Sequence, residues 1–315
     1  MMEAQDKRAK TGHAVAVDLI AVLVAISAGQ PRVMTVGDGS GLPSGPFELG
    51  HRSLQSGLRE WVEHQAGHAL GYVEQLYTFA DRDRTEDVGR AISISYLGLT
   101  RESEVPSERQ AGWRDWYDYF PWEDHRAGTP DIFEDKLLPR LRAWVKAAPQ
   151  SALRSERQRR VAVTFGVDGS RWNEELVLQR YELLYEAALV MEARRKDPKA
   201  DAPAIFGRLM MGDHRRILAT GVARLRAKIK YRPVVFELMP PTFTLLQLQR
   251  AVEALSGRLV HKQNFRRLIE QQELVEETGK MTPDTGGRPA KLFRFRREVV
   301  DERAVAGTKL PLARA

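Results

Sequence analysis

The chain of 315 residues contains no cysteine. This excludes disulfide bonds and thiolate metal sites, and it is compatible with a reducing cytoplasm. Long hydrophobic runs are missing as well, because the apolar stretch at residues 14–26 is interrupted by Asp18 and is too short to span a bilayer comfortably. We therefore expect no membrane anchor and no signal peptide, and we predict a cytoplasmic protein.

Positive charge is what the chain has in excess, with a net charge of +7. Between residues 243 and 297 eleven Lys or Arg stand against six Asp or Glu, a surplus of five. Hydrophobic residues make up 43% of the chain, which is long enough for two globular domains. The concentration of positive charge near the C-terminus predicts a polyanionic partner for that segment.

The N-terminal part alternates strand and helix patterns. Strand patterns at residues 19–26 and 32–36 flank a turn signal at residues 27–31. After the Gly- and Pro-rich residues 37–50, apolar residues recur at helical spacing over residues 54–62. Strand patterns return at residues 72–79 and 91–99. This order predicts an α+β domain.

Long helices are predicted to complete the first domain and to supply a dimer interface. Pro240 and Pro241 follow them, and a proline pair cannot continue a helix. We therefore place the boundary at residues 232–242, between an N-terminal domain of residues 1–235 and a C-terminal domain of residues 236–315. The predicted helices lie at residues 131–145, 172–195 and 205–229.

Two short helices open the C-terminal domain. Thr244 can cap the first, which carries Leu248 and Leu255 on one face and stops at Gly257. The second, at residues 262–271, is predicted to turn its basic side chains outward. Its inward residues are predicted to be Phe265, Leu268 and Ile269.

A hairpin follows the two helices. Leu274 and Val275 begin its first strand, residues 285–289 form a turn, and residues 291–295 alternate charged and apolar side chains. A single basic helix is more often a solvated face, but this combination is typical of a winged helix-turn-helix that binds double-stranded DNA. The residues predicted to contact DNA are Thr244, Lys262, Gln263, Asn264, Arg266, Arg267, Arg288 and Lys291.

Several of these segments resemble a known family. Asn264-Phe265-Arg266-Arg267 and residues 287–295 look like the winged-helix half of Nudix-related transcriptional regulators of NAD metabolism, and residues 71–79 and 92–97 resemble strands of their Nudix part. The resemblance implies an α+β chain: a Nudix-like α/β/α sandwich with additional helices, followed by a C-terminal winged helix-turn-helix. It looks most like the subgroup that represses the genes of de novo NAD synthesis.

The resemblance also implies a function. The protein would be a homodimeric repressor that binds a palindromic operator and senses an adenine nucleotide, which is NAD, ADP-ribose or ATP, without requiring a cofactor. Guanidinium groups pair well with a pyrophosphate, and aromatic rings can stack on adenine. On those grounds the ligand-binding candidates are Arg52, Tyr77, Phe79, Arg82, Arg84 and Tyr96.

The pattern of an active Nudix hydrolase, Gly-x5-Glu-x7-Arg-Glu-x2-Glu-Glu-x-Gly, is incomplete. It supplies carboxylates on successive helical turns to hold magnesium. In the register that keeps Glu60 and Glu63, the upstream Glu position is His51 and the second Glu of the pair is His64. In the register that aligns Gly67 with the last Gly of the pattern instead, neither position of the Glu-Glu pair is occupied by Glu. We predict a sensor without hydrolysis; the alternative is an active hydrolase of nucleoside diphosphate derivatives with an accessory nucleic-acid-binding domain.

The aromatic residues and the histidines also lead to expectations. The aromatic cluster at residues 113–122 is predicted to pack against the sheet or across a dimer, with a purine site as the alternative. The seven histidines are scattered without metal-ligand spacing, so we predict no metal site.

Overall fold

A mixed β-sheet forms the centre of the N-terminal part in the computed structural model, which describes residues 15–80, 90–106, 108–195, 198, 202–282, 289–296 and 298. The strand order is β4-β5-β1-β2-β6, with β3 paired to β1. Only the β1–β5 pair is parallel among the pairs that the structure describes. The strands are β1 (Val15–Ser27), β2 (Gln30–Val36), β3 (Ser44–Pro46), β4 (Tyr72–Phe79), β5 (Arg90–Leu99) and β6 (Ala111–Asp115).

The central strand β1 is buried on both faces. Leu19 and Leu23 point to one side, and Ile20 and Val22 point to the other, as the two-residue period of a strand requires. Helices cover both faces, which explains why the sequence of β1 is a nearly continuous apolar run.

Helix α1 (Leu54–Ala66) covers the first face of the sheet. Ser53 caps it by accepting the amide of Ser56, and Gly67 ends it in the left-handed conformation. Leu58 and Val62 pack against the face of β1 that carries Leu19. The predicted order of strand, strand, helix, strand, strand is confirmed, with the short β3 added.

Four helices follow, of which α5 packs closest to the second face of the sheet. A Cβ on its Gly221 would lie 2.8 Å from Val22, so glycine allows the helix to approach β1 closely. Residues 132–137, ahead of Pro139, form a π-helical turn. The four are α2 (Leu138–Lys146), α3 (Ser151–Phe165), α4 (Val177–Glu186) and α5 (His214–Ile229).

The predicted helices need three corrections. Helix α3 was not predicted, because polar residues fill most of it and leave little apolar periodicity. The helix predicted at residues 172–195 is shorter, since Ala188 adopts a positive φ of 56°. The helix predicted at residues 205–229 begins only at His214, because Gly207 and Gly212 turn the chain before it.

The aromatic cluster packs the core. Trp116, Tyr119, Phe120 and Trp122 are fully buried directly after β6, within the apolar core shared with α4 and α5. Such buried rings offer no face to a purine. The packing interpretation of the cluster therefore fits the structure, and the purine site does not.

The C-terminal part has the predicted helix, helix, strand, strand order: α6 (Leu245–Ser256), α7 (Lys262–Gln271), β7 (Val275–Thr282) and β8 (Ala290–Phe295). Phe243 pairs with Phe293 through two backbone hydrogen bonds and closes the hairpin against the start of α6. Leu268 is 51% exposed, so its predicted inward orientation is wrong. Phe265 and Ile269, four residues apart, already supply the buried stripe of this short helix.

The segment between the two parts is packed and not an open linker. Residues Val234–Leu238 form a 3₁₀ helix, and Phe236 stacks on Phe295 of the wing with ring centroids 4.2 Å apart. The apolar core runs continuously from β1 through α5 to α6. The domain division near residue 235 stays a prediction. Within the described ranges no helix combines the length and the apolar composition that crossing a bilayer needs.

Candidate DNA interface and effector cleft

The outer face of α7 carries the predicted DNA contacts. Buried Phe265 and Ile269 anchor the inner face of the helix, and the helical period places Gln263 and Arg267 on the opposite side. Guanidinium and amide groups are the side chains that read base edges in a major groove, and Lys or Arg pair with phosphates. The exposed predicted residues of this helix are Lys262, Gln263, Asn264, Arg266 and Arg267.

Thr244 has a different place from the one predicted. Its side chain accepts the amide of Gln247 at 3.1 Å, the Gln247 side chain accepts the Thr244 amide at 2.7 Å, and Thr244 is only 4% exposed. This reciprocal capping box fixes the start of α6. We therefore assign Thr244 to the helix cap and not to the exposed interface.

The wing presents paired charges. Lys291 on β8 donates to Glu277 on β7 at 2.8 Å, and Arg294 makes a similar cross-strand pair with Glu276. Both pairs are largely exposed, so a phosphate can compete for either cation at low cost. The predicted contact Arg288 lies outside the described residues.

The predicted ligand-binding residues do not form one site. Arg52 and Tyr77 are exposed, whereas Phe79 and Tyr96 are each 2% exposed. Phe79 belongs to the core on the α5 side of the sheet and Tyr96 to the core on the α1 side, so the prediction that they stack on adenine is wrong. Tyr77 contacts Phe79 edge to face at 5.0 Å. Arg82 and Arg84 lie outside the described residues.

A cleft of about 280 Å³ opens instead on the sheet face opposite α1. Its floor is polar because Asp18 on β1 lies beside Ser93 on β5 in the parallel pair. His214, the first residue of α5, forms one wall, and its Nδ1 accepts the Leu42 amide at 2.9 Å. The lining residues are Asp18, Ile20, Ser44, Gly45, Ala91, Ser93, Gly212, Asp213 and His214.

The cleft has the chemistry of a small polar ligand site. Two carboxylates (Asp18 and Asp213), two hydroxyl groups and the first turn of a helix converge on a pocket whose size is close to the lower end of the usual range for ligand sites. Sequence analysis missed these residues because they come from four separate segments. The one available signal was Asp18, a charged residue inside an apolar strand.

Comparison with known proteins identifies the C-terminal segment. Residues 235–295 match the family described as the NrtR DNA-binding winged helix domain. This segment is similar to the NrtR winged helix domain. The predicted winged helix-turn-helix and the stated family resemblance are thereby confirmed for this part of the chain.

A curated relative and two solved structures extend the comparison. The chain is 41% identical over 83 residues to the ADPR responsive transcriptional repressor NtrR of Acinetobacter baylyi, a match that spans 26% of this chain and only about a third (33%) of that protein. Shewanella oneidensis NrtR, solved with a 27mer DNA, has a TM-score of 0.56 at 18% identity and covers 90% of this chain and 95% of its own. The same protein without DNA gives a TM-score of 0.54 at 19% identity, with the same coverage.

These structural matches establish the fold. Both NrtR structures cover 90% of this chain, including the sheet domain and the winged helix, so the chain has the same overall fold: a mixed α/β domain followed by a winged helix. The predicted fold class is confirmed.

Helix α1 carries the incomplete Nudix pattern described above, and several of its polar side chains make structural contacts. Arg59 donates to the carbonyls of Leu70 and Gly71, and the Gln65 amide bridges the backbone of Ser44 at 2.9 and 2.8 Å. Glu60 lies 3.5 Å from His51. In the described part of the chain, no three His, Asp or Glu side chains come together as a metal cluster.

Proposed function

We propose that this protein is a transcriptional repressor whose binding to operator DNA is controlled by ADP-ribose held in its Nudix-like domain. The observation that carries the proposal is an NrtR winged helix whose second helix, α7, exposes a row of basic and amide side chains. The relative from Acinetobacter baylyi is named for its response to ADPR, which makes ADP-ribose the first effector to test. NAD and ATP are the other candidates.

DNA binding follows from the chemistry of α7. Arg267 and Gln263 lie at the centre of its outer face and would read base edges, while Lys262 and Arg266 flank them and would neutralise phosphates. The wing, with Lys291, would contact the backbone beside the groove. Regulated genes of NAD biosynthesis are the proposed targets.

Dimerisation would give specificity. One α7 helix covers only a few base pairs, whereas two helices related by a twofold axis read both halves of a palindromic operator. We therefore propose a homodimer in which effector binding changes the separation of the two α7 helices. A change in that separation alters the fit to the half-site spacing, so the effector shifts the population between binding and non-binding dimers.

The effector would use the cleft between β1, β5 and the start of α5. The Asp18 carboxylate can accept hydrogen bonds from ribose hydroxyls or an adenine amino group, and the hydroxyl of Ser93 can donate or accept beside it. The cleft holds only part of an ADP-ribose molecule, so the pyrophosphate would extend outward along the sheet surface. We propose that the nucleotide is bound without hydrolysis, because the Nudix pattern lacks part of its carboxylate set.

The decisive experiment is a gel-shift titration on DNA from upstream of the host's NAD-biosynthesis genes, with ADP-ribose, NAD and ATP added separately. We expect specific retardation that changes with ADP-ribose while the nucleotide stays intact in the same tubes. Rapid nucleotide cleavage, together with DNA binding that depends on salt but not on sequence, would favour the hydrolase alternative and contradict the proposal.

Filling the cleft should separate sensing from DNA binding. In Ser93→Leu the larger side chain occupies the floor of the cleft, and we expect the ADP-ribose concentration needed to alter operator binding to rise at least about tenfold, equivalent to the loss of about 1.4 kcal/mol of effector binding. Operator affinity without nucleotide should be unchanged.

Isothermal titration with ADP-ribose measures the binding step directly. Asp18→Asn, which keeps the volume and removes the charge, is the companion variant. Wild-type ADP-ribose affinity in both variants would place the effector elsewhere on the domain.

A further inference from the structure

We infer that the side chains of Tyr117 and Arg226 and the backbone amide of His125 are positioning groups for the winged helix. Together they hold the C-terminal end of α6 against the Nudix-like domain, an arrangement called the α6 clamp below. Each protomer would therefore move as one rigid body. The rigid protomer has a consequence for regulation, which rests on the proposed function: an effector changes the arrangement of the two protomers and does not act through a hinge inside one protomer.

Three carbonyl groups at the end of α6 carry the argument. The Tyr117 hydroxyl donates to the Ala254 carbonyl at 2.7 Å, Arg226 Nε donates to the Leu255 carbonyl at 2.9 Å, and the His125 amide donates to the Gly257 carbonyl at 2.7 Å. The last carbonyls of a helix have no partner inside the helix and need donors from elsewhere. Here all three donors come from the Nudix-like domain.

Charge strengthens the clamp. Arg226 on α5 is fully buried, and its cationic group lies at the negative end of the α6 dipole. Its Nη1 donates to Glu123 at 2.5 Å and to the Glu174 carbonyl at 3.1 Å, so the guanidinium is fixed on several sides. A buried cation with this many partners has little freedom to follow a moving helix.

Close packing at the end of α6 also leaves no space for movement. Gly257, which ends α6 with a φ of 72°, lies so close to the Nudix-like domain that a Cβ there would be 2.3 Å from the Glu123 carbonyl oxygen. A larger residue would therefore force the two parts apart.

The other end of the winged helix is held as well. Arg101, just after β5, donates to the Met239 carbonyl at 2.8 Å, and Phe236 stacks on Phe295. The connecting segment is buried at Val234, Val235, Phe236, Leu238 and Met239, so this part of it lacks the exposure that a hinge requires. Rotation of the winged helix against its own sensor domain would break the Arg101–Met239 hydrogen bond together with the α6 clamp.

The test compares two tyrosines of the same segment. Tyr117→Phe removes the hydroxyl that reaches α6, whereas Tyr119→Phe removes another buried hydroxyl, which donates at 2.7 Å to the Gly39 carbonyl within the Nudix-like domain. The chain has no cysteine, so spin labels can be attached at Arg159→Cys on α3 and Glu270→Cys on α7 without further changes. The labelled protein is diluted with unlabelled protein, so that electron–electron distance measurements report the distance between the two labels of one protomer.

We expect one narrow distance within a protomer, unchanged by ADP-ribose, in wild type and in Tyr119→Phe. Compared with Tyr119→Phe, Tyr117→Phe should broaden this distribution and weaken operator binding. The melting temperatures of the two variants should differ little, so the weaker binding would not reflect lower stability. With the α7 label alone and no dilution, ADP-ribose should shift the distance between the two protomers.

Two results would overturn the inference: a shift of the distance within a wild-type protomer on adding ADP-ribose, or equal behaviour of Tyr117→Phe and Tyr119→Phe. The comparison of the two variants needs no nucleotide. Failure of ADP-ribose to act on the operator would therefore refute the proposed function and leave the α6 clamp standing on its own result.

Discussion

Glu123→Gln is expected to destabilise the protein by about 3–5 kcal/mol, the usual effect of removing one partner from a buried ion pair. Glu123 is 1% exposed and accepts hydrogen bonds from two fully buried guanidinium groups, those of Arg180 and Arg226. Glutamine keeps the shape but leaves two buried positive charges without a counter-charge. Urea unfolding followed by tryptophan fluorescence measures the change in the free energy of unfolding.

The matched control is Glu182→Gln. Glu182 also pairs with an arginine, Arg216, at 2.8 Å, but both side chains are partly exposed. A solvent-screened pair of this kind contributes at most about 1 kcal/mol. Equal losses in the two variants would show that burial of the Glu123 cluster is not what stabilises it.

The difference in stability between wild type and Glu123→Gln should depend on pH. Burial alone would raise the pKa of the Glu123 carboxyl, but the guanidinium groups of Arg180 and Arg226 outweigh burial and hold the pKa below its ordinary value of 4.5. The stabilisation is therefore complete above pH 4.5 and is lost as the pH falls through the lower pKa of the folded state. The stabilities of wild type and Glu123→Gln should converge in acid, and a constant difference would contradict this account.

Reversing two charges on α7, in Arg266→Glu/Arg267→Glu, is expected to weaken operator binding by at least about a hundredfold. Both side chains are exposed on the recognition helix, so the variant should fold normally. If both residues touch phosphate, the slope of log affinity against log salt should fall by roughly 0.9 for each lost contact. If Arg267 reads a base instead, the loss should be larger on the operator than on unrelated DNA.

The control for net charge is Arg159→Glu/Arg171→Glu, which changes the charge by the same amount on exposed positions of the Nudix-like domain. Its operator affinity should stay close to that of the wild type. Fluorescence anisotropy at several salt concentrations compares all three proteins, and a similar loss in both double variants would point to overall charge and not to contacts by α7.

The winged helix was predictable because its information is local. Its signals all lie within one short stretch of sequence: the helix cap at Thr244, the helix end at Gly257 and the four-residue spacing of Phe265 and Ile269. Leu268 shows the limit of this reasoning, since a third apolar residue on a short helix need not be buried. Sequence patterns do not show how much of a helix surface is buried by the neighbouring elements.

The proposed effector cleft was not predictable in the same way. Asp18 and Ser93 become neighbours only through the parallel pairing of β1 with β5, and His214 joins them because the first residue of α5 lies beside these two strands. Aromatic type alone suggested Phe79 and Tyr96, but whether a ring stacks on a ligand depends on which face of the strand it occupies and on what covers that face. Helix α3 was missed for a related reason, because its few buried residues lie near one end.

The three carbonyls at the end of α6 also bear on how such regulators can be recombined. A winged helix moved onto a foreign sensor would carry these acceptors into a junction without Tyr117, Arg226 or the His125 amide. Each acceptor buried without a donor would cost roughly 1–3 kcal/mol, a large share of the stability of an ordinary domain. This winged helix is therefore a poor cassette for domain shuffling, and a functional chimaera would have to inherit the segment around residues 117–126 together with α5.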